Sequence, residues 1–247
     1  MNRQPLRPLD PDEIEAFDRE GVVPLAGMFD ADWVDLLASG LERNRATPSP
    51  RARIWDRDAQ GRTMFWDSQA WQGIDEYQTF VHESPAANIA AQLLGASKIN
   101  FFFDAVFVRS PGSQFSTPWH QDEPYWSVEG HNTCSIWTPL VPVAAENALS
   151  FVPGSHRGNQ VLAQPNFGEL NPDKVDHACQ TDFSAVAEGL FPDIDADPEK
   201  WGVVSWGMQP DDCIVSIAGS CTVVQGNCHQ KAVSACSPLS GSVTTCR

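Results

Sequence analysis

His120 and Asp122 are the residues whose types and spacing best suit chemistry, and they lie inside an aromatic-rich segment, residues 118–126. On an extended strand, side chains two positions apart project from the same face, so an imidazole nitrogen and a carboxylate oxygen can reach one metal ion together. A 2-His-1-carboxylate triad leaves positions on Fe(II) open for dioxygen and a chelating cosubstrate. The pair therefore predicts two ligands of a mononuclear non-haem iron site, with a distant histidine as the third.

The surroundings of the pair strengthen this interpretation, because a His-x-Asp triplet also arises by chance. The triplet follows a β-type run, a Ser-Pro-Gly turn and Trp119, and Tyr125 and Trp126 come directly after it. Two interpretations of these aromatic residues stay open. They either line a substrate pocket beside the metal or pack into the core.

Length and charge limit the class of protein. A chain of 247 residues with 42% hydrophobic residues can form one domain with a large core. Its formal net charge of −16 repels phosphates and acidic lipids, so neither nucleic acid nor membrane is expected as a partner. The sequence has no apolar run long enough to span a bilayer and no signal-peptide pattern at its start, which predicts a cytoplasmic location.

The seven cysteines are unevenly placed, and five of them lie from residue 213 onward. A disulfide framework is not expected in a cytosolic chain of this size. The cysteines also lack the Cys-x-x-Cys pairs that are typical of a structural zinc site. We therefore expect these residues to contribute neither cross-links nor a zinc centre.

Helical signals dominate the first part of the chain, and short β-type runs follow. Apolar residues at helical spacing predict helices over 10–22, 30–43 and 84–95, with a brief strand at 22–25 and an exposed loop at 44–63. The β-type runs cover, in order, residues 100–109, 117–121, 132–143 and 148–153. We expect one domain over 1–247, divided into a helical N-terminal part (1–99), a β core (100–215) and an atypical tail (216–247).

Four segments stand in an order and spacing that characterise a known family: LDPDEIEAFDREGVVPLAGMFD, VRSPGSQFSTPWHQDEPYW, CSIWTPLVPVAAENALSFVPGSH and QPDDCIV. Together they resemble, over residues 10–215, the phytanoyl-CoA dioxygenase (PhyH)-like family of Fe(II)/2-oxoglutarate-dependent oxygenases. The resemblance implies a mainly β fold, in which a double-stranded β-helix (jelly roll, cupin-like) core carries N-terminal and flanking α-helices. It also implies Fe(II) and 2-oxoglutarate as cofactors, with His120 and Asp122 binding iron near the mouth of the barrel.

Three further residues acquire candidate roles from the resemblance. Trp137 resembles a position that lines the 2-oxoglutarate pocket, and a core tryptophan is the alternative. Arg109 either faces a carboxylate of the cosubstrate or substrate, or is a solvated charge on an edge strand. His156 is expected to brace the barrel and not to bind the metal.

The resemblance also implies a reaction. Related halogenases replace the carboxylate ligand by a small residue, and this chain keeps Asp122. We therefore expect oxidation of a C–H bond, with 2-oxoglutarate and dioxygen converted to succinate and CO₂. The expected partners are dioxygen and a small-molecule substrate. A non-catalytic jelly-roll binding protein of the same descent, or a cupin-type metalloenzyme without 2-oxoglutarate, are the alternatives.

The tail departs from the family pattern after QPDDCIV. The pattern calls for a second metal-binding histidine and then an arginine that pairs with the far carboxylate of 2-oxoglutarate, and residues 216–226 contain neither. His229 is the candidate third metal ligand in the chain as written. It lies several positions beyond the expected place, on a segment without a strand signal.

Codons that cross residue boundaries would restore the missing pattern. If each codon takes the last base of one residue and the first two bases of the next, synonymous choices convert residues 215–226 into Phe-His-Cys-Arg-Leu-Val-His-Gly-Gly-Pro-Gly. The restored histidine falls across Cys221/Thr222, and an arginine falls across Ala232/Val233. We hypothesise a frameshift at the start of this segment, which the nucleotide sequence tests directly. A frameshifted tail is expected to lack the last barrel strands, to bind iron weakly and to turn over poorly.

Overall fold

The computed structural model of the chain describes residues 1–55, 61, 63–110, 112, 116–126, 130, 132–158, 160–163, 189–224 and 234–237. Its helices are α1 (Pro11–Glu20), α2 (Ala31–Ala46), α3 (Asp75–Glu83) and α4 (Ala86–Leu93). Its strands are β1 (Val22–Leu25), β2 (Arg53–Trp55), β3 (Met64–Ser68), β4 (Ala105–Arg109), β5 (Cys134–Pro139), β6 (Leu149–Phe151), β7 (Leu162–Ala163), β8 (Gly189–Leu190), β9 (Val204–Ser205), β10 (Cys213–Ile217), β11 (Thr222–Val224) and β12 (Ser234–Ser237).

Two antiparallel sheets form the β core. The larger has seven strands in the order β1-β10-β5-β12-β4-β3-β2, and the smaller has three in the order β11-β6-β9. A further parallel pair joins β7 and β8. Most neighbouring strands are far apart in the sequence, so the core depends on long-range pairing.

Alternate residues along each strand of the larger sheet point to opposite sides, and both sides are buried. Val215 and Ile136 belong to the cluster that packs beneath the helices. Ile214 and Trp137 belong to a second cluster, which includes Phe151 from the smaller sheet. The space between the two sheets is called the barrel interior below.

The N-terminal helix begins and ends on the signals that its sequence carries. Asp10 caps α1 and forms a capping box with Glu13, and Gly21 ends the helix in the left-handed conformation at φ 72°. A Cβ atom on Gly21 would overlap the ring of His156, which is buried. His156 therefore packs against the end of α1, as expected of a bracing residue.

The structure confirms three predicted helices and adds a fourth. Helices α1, α2 and α4 match the predicted spans to within a few residues. Helix α3 was not predicted because its N-cap, Ile74, makes no side-chain hydrogen bond and gives no start signal. This helix is held by tertiary packing, since Tyr77 and Phe80 are buried in the core beneath it.

Three strand predictions are corrected. The loop expected at 44–63 contains β2, which forms by pairing with β3. The strand expected at 117–121 is reduced to one isolated bridge at His120, and Pro118 cannot donate a backbone hydrogen bond there. The last barrel strands are also present, since β11 pairs with β6 and β12 lies between β4 and β5. Strand pairing uses backbone groups, so it tolerates the unusual side-chain composition of the tail.

No helix within the described part of the chain is both long enough and apolar enough to cross a membrane.

Candidate metal site

His120 and Asp122 converge in the structure, although His120 forms only an isolated bridge and Asp122 has αR dihedral angles instead of the expected extended strand. The Nε2 atom of His120 lies 3.5 Å from Oδ1 of Asp122. Two atoms bound to one ion at about 2.1 Å each can be up to about 4.2 Å apart, so one metal ion can join this pair. The side chain of His120 is nearly buried and that of Asp122 is 31% exposed, which places the pair where solvent meets the core.

A backbone carbonyl orients the ring of His120. Its Nδ1 atom lies 2.8 Å from the carbonyl oxygen of Pro118. Because a carbonyl only accepts hydrogen bonds, Nδ1 carries the proton and the Nε2 lone pair faces Asp122. A second hydrogen bond of this kind is typical of metal-binding histidines, since it sets both tautomer and ring orientation.

Gln121 points away from the pair and fixes the surrounding chain. Its Nε2 atom donates to the carbonyl oxygens of Gly219, at 3.0 Å, and Gln160, at 3.1 Å. Its Oε1 atom accepts from the backbone N–H of Leu162 at 3.1 Å. The triplet thus places its two candidate ligands on one side and a buried structural amide on the other.

Asp122 is supported by the larger sheet and by the turn between β10 and β11. Ser135, on β5, donates a hydrogen bond of 3.4 Å to Oδ2 of Asp122. The backbone N–H groups of Asp122 and Glu123 both donate to the carbonyl oxygen of Ala218 at 3.0 Å. The carboxylate is therefore held beside the barrel interior by two separate parts of the fold.

Thr222 lies directly opposite His120. The two residues exchange both backbone hydrogen bonds, at 2.9 and 2.8 Å, as an isolated antiparallel bridge. Cys221 and Val223 belong to an apolar cluster outside the barrel interior, so the intervening side chain of Thr222 points to the other side, with His120. The Thr222 hydroxyl donates to the carbonyl oxygen of Ser150 at 3.1 Å.

The donor set fits Fe(II) at two positions. Within the described ranges, no group of three His, Cys, Asp or Glu side chains comes together to hold a metal ion. The candidate third ligand, His229, lies outside the described residues. The geometry of His120 and Asp122 is compatible with two of the three ligands of a facial triad, and no described acidic, cysteine or histidine side chain provides a third.

Four aromatic side chains, Phe102, Phe103, Tyr125 and Trp126, form an aromatic wall that reaches the pair through Tyr125. The ring of Tyr125 lies edge-on to that of His120 at 6.5 Å between centroids and is 38% exposed. Trp126 contacts Phe103 at 5.6 Å and Phe102 at 6.3 Å. Phe102 and Phe103 were missed as site residues, because their sequence run gave only a strand signal.

Trp119, in contrast, is a core residue. It is buried in the apolar cluster that contains Cys221 and Val223, and its Nε1 atom donates to Asp195 at 2.8 Å. Of its two open interpretations, core packing is the one that the structure supports. Trp119 therefore stabilises the segment that leads into His120 without facing the barrel interior.

The two candidate cofactor contacts, Trp137 and Arg109, share the interior face of the larger sheet. Trp137 is buried two positions after Ser135 on β5. Arg109 is two positions after Phe107, which packs against the interior cluster. The interpretation of Arg109 as a solvated edge charge is wrong, since it is 3% exposed and donates to the carbonyl oxygen of Asn147 at 2.7 Å.

The described cysteines show no sign of cross-linking. Cys134, Cys213 and Cys221 are free and buried. Burial raises the pKa of the Cys221 thiol to about 11, and that of Cys134 to about 12. These thiols stay protonated near neutral pH, which makes them poor metal ligands.

Comparison with known proteins gives a family match. The family model for phytanoyl-CoA dioxygenase (PhyH) matches residues 17–210. No protein with a curated description matches the sequence significantly.

Several solved structures resemble this one over nearly its whole length. SnoK, a non-heme alpha-ketoglutarate-dependent carbocyclase from nogalamycin biosynthesis, has 17% identity and a TM-score of 0.71, covering 98% of this chain and 87% of its own. EctD from S. alaskensis, with 2-oxoglutarate and 5-hydroxyectoine, has 19% identity and a TM-score of 0.69, covering 97% and 82%. EvdO2 from Micromonospora carbonacea var. aurantiaca, complexed with 2-oxoglutarate, has 19% identity and a TM-score of 0.67, covering 97% and 94%. These similarities confirm the predicted jelly-roll fold.

Proposed function

Because the chain belongs to the phytanoyl-CoA dioxygenase (PhyH) family, which uses Fe(II) and 2-oxoglutarate, we propose that it is a dioxygenase that oxidises a C–H bond of a small organic substrate. The observation that carries this proposal is the convergence of His120 Nε2 and Asp122 Oδ1 at 3.5 Å. Both atoms are acceptors, so a cation between them removes their mutual repulsion. Fe(II) and 2-oxoglutarate, when bound, supply the oxidation, with dioxygen consumed and succinate and CO₂ released.

The protein's share of the reaction is binding, orientation and exclusion of water. His120 and Asp122 would hold the metal, and the hydrogen bond of His120 to Pro118 keeps its Nε2 lone pair available. Within the aromatic wall, Tyr125 lies next to the ring of His120 and is partly exposed, where it can cover a bound organic molecule. Aromatic faces exclude water from a site and favour apolar or cationic substrate groups.

Arg109 and Trp137 are our candidates for contacts to 2-oxoglutarate. The guanidinium of Arg109 keeps its charge and presents a planar fork that matches a carboxylate. Its burial on the interior face of the larger sheet supports a role inside the barrel. Trp137, which lies on the same face, would provide an apolar contact to the cosubstrate.

The substrate class is a small organic molecule. The solved structures that share this fold include a carbocyclase of nogalamycin biosynthesis and EctD with 5-hydroxyectoine. The wall of Phe102, Phe103, Tyr125 and Trp126 supports a substrate with an apolar part. The net charge of −16 disfavours highly anionic substrates, because the protein's field repels them.

A second candidate function is a non-catalytic or weakly catalytic binding protein with the same fold. Thr222 favours it, since this residue faces His120 and carries no strong metal ligand. The frameshift hypothesis belongs to this candidate, because it would explain the absence of a histidine at that position. The nucleotide sequence decides that hypothesis: stop codons or unsuitable codons in the neighbouring frame would exclude it.

Conversion of 2-oxoglutarate to succinate tests the proposed function. Purified protein is incubated with Fe(II), ascorbate, dioxygen and 2-oxoglutarate, with and without a panel of small organic molecules. An oxygenase forms succinate, and Asp122→Ala abolishes this activity because one of the two ligands is lost. Absence of succinate above the Asp122→Ala level across the panel would favour the binding-protein candidate.

A further inference from the structure

We propose that Thr222 occupies the third corner of the metal site, so that residue 222 limits metal affinity and a histidine at this position completes the triad with His120 and Asp122. This inference rests on the proposed iron site and goes beyond it by assigning the residue that weakens it. It concerns metal affinity, which is measurable without turnover.

The backbone bridge fixes where the side chain of residue 222 lies. His120 and Thr222 exchange both N–H to C=O hydrogen bonds, at 2.9 and 2.8 Å. In such an antiparallel pair, the two side chains project from the same face with Cβ atoms about 5.5 Å apart. A side chain at 222 therefore reaches the same space as the imidazole of His120.

The turn before β11 brings Asp122 to that same space. The carbonyl of Ala218 accepts the backbone N–H of Asp122, and Gln121 binds the carbonyl of Gly219. The chain then enters β11 at Thr222, only three residues after Gly219. Residues 120, 122 and 222 consequently surround one small volume, and two independent sets of hydrogen bonds maintain this arrangement.

The Thr222 side chain is a poor metal ligand, so position 222 adds little to metal binding. A threonine hydroxyl is neutral near pH 7 and is not among the usual nitrogen or carboxylate ligands of non-haem Fe(II). This hydroxyl also donates to the carbonyl oxygen of Ser150 at 3.1 Å, which fixes its orientation. Its neighbour Cys221 cannot take over the role, because it packs in the apolar cluster outside the interior.

The surroundings of the pair are partly exposed, while position 222 is buried. Thr222 itself is 8% exposed, but Asp122 and Tyr125 beside it are 31% and 38% exposed. A histidine at position 222 would face Phe151, its register partner on β6, as well as His120. The substitution loses the hydrogen bond to Ser150 and so has a stability cost of about 1 kcal/mol.

A double-mutant cycle with Co(II), an oxygen-stable substitute for Fe(II), tests the inference. The wild type, Thr222→His, His120→Ala and the double variant are titrated with Co(II), using absorption bands and calorimetry. We expect Thr222→His to bind Co(II) at least about 100-fold more tightly than the wild type, and to lose this gain when His120 is alanine. An equal gain in the His120→Ala background, or no gain in a folded Thr222→His protein, would overturn the inference.

A second pair of variants keeps the test decisive if Thr222→His does not fold. Thr222→Ala opens the corner to free imidazole, and Thr222→Ser keeps the hydroxyl as the matched control. Imidazole should strengthen Co(II) binding by Thr222→Ala and not by Thr222→Ser. Equal responses of the two variants would contradict the inference.

His229 provides the competing explanation, and its removal separates the outcomes. If Thr222 leaves the corner weak, His229→Ala binds Co(II) as the wild type does. A large loss of affinity in His229→Ala would show that the tail supplies the third ligand and would overturn the inference. If Thr222→His gains affinity but forms no succinate, the inference stands and the proposed oxygenase function fails.

Discussion

The two sides of the candidate metal site differ in what they contribute. Residues 118–123 carry both the geometry and the chemistry of a metal site, since His120 is oriented by a carbonyl and Asp122 is held by Ser135. The facing strand, β11, keeps the geometry, with Thr222 paired to His120, but contributes only a hydroxyl. Backbone pairing preserves the shape of the site without specifying the side chain that faces the metal.

This contrast explains how a tail of unusual composition still closes the barrel. Strands β11 and β12 need only N–H and C=O groups and residues that tolerate an extended backbone, which Val, Thr and Ser do. A metal ligand, in contrast, has to be one particular residue at one position. The fold can therefore persist where the site is incomplete.

The largest expected effect is the loss of metal binding when His120 is removed. His120→Ala leaves Asp122 as the single described ligand, and Co(II) affinity should fall by well over about 100-fold, since loss of an outer partner alone costs about 10–100-fold. Titration with Co(II) measures this effect. His82→Ala, on the exposed surface of α3, is the matched control and should bind like the wild type. Equal losses in both variants would mean that binding is not centred on the pair.

The two sides of the site should be compared at a pH where the titration of Asp104 no longer changes the stability of the fold. Burial is the main cause that raises the pKa of this carboxyl to about 6, above its ordinary value. A raised pKa in the folded state means that the contribution of Asp104 to stability falls as the pH rises from about 4 to about 6 and is constant above that range.

Asp104→Asn tests this pH dependence. The amide does not titrate, so its stability relative to the wild type should increase by about 2 kcal/mol between pH 4 and pH 7. Any effect of the altered hydrogen bond to the Trp71 N–H is the same at both pH values. Urea unfolding at the two pH values provides the measurement. A difference that does not change with pH would show that Asp104 has an ordinary pKa.

Gly21 supports the turn that leads into β11, so its substitution tests how that side of the site is held. Its carbonyl oxygen accepts from the Ile217 N–H at 2.8 Å and from the Ser220 hydroxyl at 2.9 Å. Gly21→Ala strains a backbone at φ 72° and forces Cβ into His156. Gly95→Ala, at φ 60° with no atom within 4 Å of the added Cβ, isolates the backbone strain.

Gly21→Ala should therefore be less stable than Gly95→Ala by about 1.5 kcal/mol, which is the cost of the steric overlap. Denaturant unfolding of both variants gives the difference. Equal destabilisation would indicate that His156 moves away freely and does not brace the end of α1.

Gln121→Ala should have the smallest effect on stability. It removes hydrogen bonds that connect the segment of His120 and Asp122 to the turn before β11. Loss of the hydrogen bonds to Gly219, Gln160 and Leu162 should lower the free energy of unfolding by about 1 kcal/mol or more. The exposed Gln92→Ala is the control and should change stability by less than about 0.5 kcal/mol. If Gln121→Ala were as stable as this control, the turn would not depend on the Gln121 side chain.

Local patterns were sufficient for the parts of the site that lie within one segment. The spacing of His120 and Asp122 predicted their convergence, and Gly21 with its capping residues predicted the end of α1. Both features depend on residues that are close in the chain. Helix α3 escaped prediction because packing of Tyr77 and Phe80, and no cap, holds it in place.

The features that the sequence could not predict depend on pairing between strands that are far apart in the chain. Arg109 was assigned an edge strand as one alternative, but β12 covers β4 on one side and β3 on the other, so the residue is buried. The codon argument placed the missing histidine at Cys221/Thr222, and the pairing of Thr222 with His120 indicates which of these residues faces the site. The frameshift itself stays a hypothesis.

A crystal of the protein soaked anaerobically with Co(II) or Fe(II) tests the central claim most directly, through the anomalous signal of the metal. We predict one ion about 2.1 Å from both His120 Nε2 and the Asp122 carboxylate, with Thr222 facing it but not coordinated. An ion bound elsewhere without His120, or one coordinated by the Thr222 hydroxyl or by His229, would contradict this account.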